Sequence, residues 1–91
     1  MELTGNYIKT AKSTINDVEL THNLSFDAQD KFTGLFSEIR KGKNTYVGNA
    51  TYKTDEKRIS ITIIGTDIVP ADVRAQIYVE IETVIAQMMQ Q

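Results

Sequence analysis

The segment from Ala71 to Gln91 contains no Gly, Pro or Asn to break it, and this length of uninterrupted chain limits what the protein can fold into. Its centre, Gln76 to Ile85 (QIYVEIETVI), is dense in Ile, Val, Tyr and Thr, which favour a pleated strand. As one strand, however, the segment would run nearly 70 Å at about 3.3 Å per residue, while a chain this long packs to a radius of gyration of about 12 Å. As a helix it spans about 31 Å, which fits. Helical phasing gathers Val73, Ile77, Ile81, Val84, Ile85 and Met88 into one stripe with Tyr78 on its flank, and burial of that stripe outweighs the weak intrinsic helicity of β-branched residues.

Val18 to Phe26 reads V-E-L-T-H-N-L-S-F, an alternation that turns Val18, Leu20, His22, Leu24 and Phe26 to one side of a strand. Tyr7 to Ile15 alternates less cleanly, and Asn16-Asp17 between them suits a tight turn. That turn pairs Ile15 with Val18, Ser13 with Leu20, Ala11 with His22, Lys9 with Leu24 and Tyr7 with Phe26. Next, Asp27 is placed to cap a helix in which Ala28, Phe32, Leu35, Phe36 and Ile39 recur at helical spacing before Arg40-Lys41 and Gly42 close it. Gly34 inside it reads as a point of close approach. A second hairpin follows, from Thr45 to Lys53 and from Arg58 to Gly65 around Thr54-Asp55-Glu56-Lys57. It puts Tyr46, Tyr52, Ile59, Ile61 and Ile63 on one face and Val47 on the other.

The predicted order is ββαββα: an α+β fold with a four-stranded antiparallel sheet and two helices packed on one face. Residues 1–91 are read as a single domain, because one modest core is all that this length supports.

With no cysteine in the chain, disulfides and thiolate chemistry are excluded, and a lone histidine excludes the usual zinc sites in a monomer. No cofactor is expected. The glycines form no phosphate-binding run, and the carboxylate pairs Asp27/Asp30 and Glu80/Glu82 read as capping and solvation. His22 faces inward, with Ser13 diagonal to it across the hairpin. Ser13 would sit mid-strand without an oxyanion hole or a nucleophile turn, so the pair reads as structural and the chain as noncatalytic. The N-terminal stretch lacks a basic-then-apolar leader and no apolar run reaches the roughly 18 residues of a membrane span; a cytoplasmic location is expected.

The leading functional expectation is a small intracellular binding or regulatory module acting through protein–protein interaction, as a homodimer, as an inhibitor of a partner protein, or both. Cysteine-free acidic chains of this size include phage and mobile-element accessory proteins. The expected surface combines Ile15 and Val18 at the first hairpin tip with Val79, Met88 and Met89 on the last helix, which the expected core leaves poorly covered. The alternative is a nucleic-acid-binding accessory protein using Arg40, Lys41 and Lys43 at the end of the first helix and Lys53 and Arg58 in the second hairpin. The net charge of −2 disfavours nonspecific polyanion binding, and the expected face of Tyr46 and Tyr52 leaves no aromatic on the open side for base stacking.

Overall fold

The computed structural model describes residues 6–42 and 44–90. Five strands, β1 (Tyr7–Ile15), β2 (Val18–Phe26), β3 (Phe32–Lys41), β4 (Thr45–Lys53) and β5 (Arg58–Ile63), precede one helix, α1 (Ala71–Met89). The strands pair in chain order as an antiparallel meander, β1-β2-β3-β4-β5. This α+β arrangement corrects the expected ββαββα order: the sheet has five strands, and the segment read as a first helix is β3.

The misreading has a physical origin in one residue of register. Phe26 pairs with Phe32 but Ser25 pairs with Gly34, so Thr33 is an extra residue, a β-bulge. The bulge turns both Phe32 and Leu35 inward, a spacing of three that imitates a helix and conceals the alternation of Leu35, Ser37 and Ile39. Asp27 does cap a segment, but a turn: its carboxylate accepts from the amides of Gln29 and Lys31 at 2.9 and 3.0 Å. Gly42, expected to end a helix, instead supplies φ +66° in the β3–β4 turn.

The β1–β2 register matches the expected pairing at every named position. In the second hairpin the pairings from Lys53–Arg58 to Gly48–Ile63 also match, but a second bulge lies where Ile39 pairs with Gly48 and Arg40 with Tyr46. It turns Val47 into the core and Tyr46 onto the open face, the reverse of the expected sides. Gly48 makes this possible, because a Cβ there would lie 2.0 Å from the Thr62 carbonyl oxygen.

Helix α1 begins after Pro70, which has the fixed φ and missing amide suited to a helix start, and buries Val73, Ile77, Ile81, Val84 and Ile85 against the sheet. These meet Val18, Leu20, Leu24, Leu35, Ile39 and Val47 in the core, with Met88 packed at its rim. At one end the inner face carries a row of rings, Tyr7, Phe26, Phe32 and Tyr52, with successive centroids 5.2, 6.0 and 6.3 Å apart. The Tyr7 hydroxyl donates to Asp30, which raises its pKa and ties β1 to the 27–31 turn.

Candidate functional site

The width of the sheet determines what is left uncovered. Five strands at about 4.8 Å spacing make a floor roughly 20 Å wide, and one helix with its side chains is about 10–12 Å across. Helix α1 lies closest to β1 and β3, so the far edge of the inner face, β5, is only partly roofed. Ile59 is 39% exposed, and Ile61 and Ile63 are half-buried at the rim of the core. Glu80 reaches Ser13 on β1, which fixes the helix's rotation; helical geometry then puts Tyr78 on the opposite flank, the side of β4 and β5, where it is 42% exposed.

Among the described residues, the outer edge of β5 also carries unpaired backbone. The Ile64 amide donates to the Val47 carbonyl at 2.7 Å, and Gly48 faces Ile63. Antiparallel alternation therefore commits the N–H and C=O groups of Arg58, Ser60 and Thr62 to β4 and points those of Ile59, Ile61 and Ile63 outward. The three residues with half-exposed apolar side chains thus also hold the free donors and acceptors. Sequence reasoning placed them in the core; their alternation without any inward charge, in the last strand of the sheet, was the available signal.

The opposite edge differs. Lys9 of β1 lies on the inner face, its Nζ 5.4 Å from the Phe26 ring centroid, and Lys12 lies on the open face. An inward-pointing charge of this kind blunts a sheet edge.

Between the edges runs a buried polar row. His22 is 1% exposed, and its ring nitrogens meet two serines, Nε2 at 2.9 Å from Ser13 Oγ and Nδ1 at 2.7 Å from Ser37 Oγ. Ser13 donates its single proton to Glu80 Oε2 at 2.6 Å. Nε2–H must then donate to Ser13, and because burial favours the neutral ring, Nδ1 is left to accept from Ser37. Burial lowers the His22 pKa and the Glu80 charge opposes that shift. Ser13 and His22 do touch, as the expected hairpin requires, but the serine proton is directed at Glu80 and not at the imidazole. Among the described residues no buried side-chain polar atom lacks a partner, and no three His, Asp or Glu side chains gather as a metal site.

The other residues singled out from sequence fall into separate places. Ile15 and Val79 line one shallow depression of about 300 Å3 together with Gln76 and Glu80, and Val79 is 63% exposed. Val18, expected to be poorly covered, is buried in the core because α1 begins above the same end of the sheet. Met88 and Met89 border Phe32 and Asp55 at the other end. The basic residues do not gather: Arg40 pairs with Glu38 at 2.8 Å, Lys41 reaches Asp17 at 3.6 Å and donates to the Ile68 carbonyl, Lys53 and Arg58 face each other at the far end of β4, and Lys43 lies outside the described residues. Arg40 and Lys41 end a strand, not the expected helix.

The open face also departs from expectation. Phe36, expected in a helix core, is exposed there, as is Tyr46, whose ring holds the Arg40 guanidinium 5.8 Å from its centroid. No described helix is long and apolar enough to cross a membrane. Comparison of the chain with protein-family models, with curated proteins and with solved structures returns no match.

Proposed function

We propose that this chain is a small noncatalytic module that acts by binding protein, regulating or inhibiting what it docks on, and that its docking surface is the β5 edge with Ile59, Ile61, Ile63 and the neighbouring Tyr78. One observation carries this reading: the apolar strip and the unpaired backbone groups belong to the same three residues. An extended segment laid along β5 gains main-chain hydrogen bonds and apolar cover together. The enclosure of His22 and the direction of the Ser13 proton support a structural role for the contacts of His22 with Ser13 and Ser37. The test is retention of binding proteins from native lysate on immobilised chain, compared with Ile61→Lys and with the open-face substitution Thr51→Lys. Ile61→Lys abolishes specific retention and Thr51→Lys leaves it unchanged; equal retention by all three would refute the reading.

The aromatics of the open face favour a second reading. Phe36 and Tyr46 beside Arg40 offer stacking surfaces of the kind used on single-stranded nucleic acid, with Lys53 and Arg58 farther along the sheet, though Glu38 already engages Arg40. Under this reading a low-salt mobility shift with single-stranded RNA appears and is lost in Phe36→Ala. No shift at low salt disposes of it.

A further inference from the structure

The outward groups of β5 are symmetric about Ile61, and we infer that the occupant of this edge is the same strand of a second copy, paired antiparallel about a two-fold axis through Ile61. The inference rests on the protein-binding reading above and names the partner. In that register Ile61 faces Ile61 of the second copy and Ile59 faces Ile63. All three outward residues of each strand then sit in hydrogen-bonded positions, giving two bonds for each of three pairs. Registers shifted by two residues toward either end retain only two of these pairs. Shifts by one residue set isoleucines against Ser60 or Thr62 and turn the two apolar faces to opposite sides.

The same register places Ser60 opposite Thr62 and Arg58 opposite Ile64, so no like charges meet along the strand. Both inner faces remain on one side of the continuous sheet. Ile59, Ile61 and Ile63 of the two copies then form one apolar band between the two helices, flanked by Tyr78 from each, and the part of the floor that one helix cannot roof becomes the centre of a dimer. The choice of edge follows from the defences described above: β1 carries Lys9 on its inner face, whereas β5 carries no inward charge, no proline and no bulge between Ile59 and Ile63.

The test uses the whole chain in light scattering coupled to size exclusion, across a wide concentration range. The wild type is expected at about twice the 10.2 kDa of one chain, and Ile61→Lys, which sets two ammonium groups face to face, at the mass of one chain with an unchanged circular dichroism spectrum. If Ile61→Lys unfolds, Ile61→Cys decides the matter in an otherwise cysteine-free chain: a short bis-maleimide, which adds one thiol at each end, yields a covalent dimer from it and none from Lys12→Cys on the opposite edge. A wild type that stays at the single-chain mass at every concentration overturns the inference, as does a dimer that persists in a folded Ile61→Lys. Where the wild type is a single chain but retains another protein that Ile61→Lys loses, the protein-binding reading stands and only the second copy is wrong. If neither association nor retention responds to substitution at Ile61, both fail.

Discussion

At the scale of single residues, His22 shows how a polar group is accommodated in a small core. Its imidazole is fully partnered by Ser13 and Ser37 across three strands, and Ser13 passes the connection to Glu80 on α1. Protonation would place a second N–H on Nδ1, against a serine hydroxyl that now donates to it. The unfolded chain's imidazole titrates near about 6.5, and burial holds the folded value lower. Between those two values the unfolded state binds more protons, so stability rises with pH. The His22 contribution is therefore complete above about pH 6.5, declines as the pH falls below that value, and levels off below the folded midpoint. Urea unfolding from about pH 7.5 to about pH 5.5 is expected to show a steeper loss for the wild type than for His22→Gln. The NMR titration midpoint of this lone histidine should lie below about 6.5 and fall further in Glu80→Gln, because the opposing charge is gone. A midpoint above that value, or one that rises on the substitution, contradicts this account. The inward orientation of His22 and its contact with Ser13 were legible in the alternation of β2 and the turn at Asn16-Asp17. Ser37 and Glu80 were not, because each arrives from an element whose placement only tertiary packing decides.

At the scale of elements, the two bulges decide which side chains enter the core, and each has a glycine beside it. A Cβ on Gly48 would lie 2.0 Å from the Thr62 oxygen, and one on Gly34 would lie 2.8 Å from the Tyr52 oxygen. Backbone must move in both cases, more in the first. Gly42 meets no neighbour, but its φ is +66°. Alanine substitutions should therefore rank by cost: Gly48→Ala highest, about 2–4 kcal/mol, then Gly34→Ala, with Gly42→Ala near about 1 kcal/mol from the left-handed backbone alone. Urea midpoints at constant m-value test the order, and a Gly48→Ala protein as stable as Gly42→Ala would exclude the β4 bulge. A glycine inside a strand pattern is itself a bulge signal, so Gly48 marked the point where Tyr46 and Val47 exchange faces. In β3 the same signal at Gly34 was masked by an accidental helical spacing that ran from Phe32 to Leu35 across the bulge.

At the scale of the whole molecule, a five-stranded floor under one helix leaves more surface than a compact chain of this length. The radius of gyration is 14.0 Å with extents of 48 × 25 × 18 Å, against about 12 Å for typical packing. The long axis still excludes a strand of nearly 70 Å, so the size argument that made α1 a helix holds with room to spare. If β5 closes a dimer, association and stability are linked by mass action: the melting temperature of the wild type should rise with protein concentration and that of Ile61→Lys should not. A wild-type melting temperature independent of concentration would separate stability from the β5 edge. What the sequence alone determined was local: the helix from its unbroken length and apolar stripe, the two hairpins from alternation and turn chemistry, and the inward histidine. Tertiary structure alone decided that β3 is a strand, that Tyr46 and Phe36 face outward, and that the helix covers β5 only in part. Periodicity records which side of an element is apolar, whereas one inserted residue reverses sides without altering composition, and cover depends on how many strands a single helix can span.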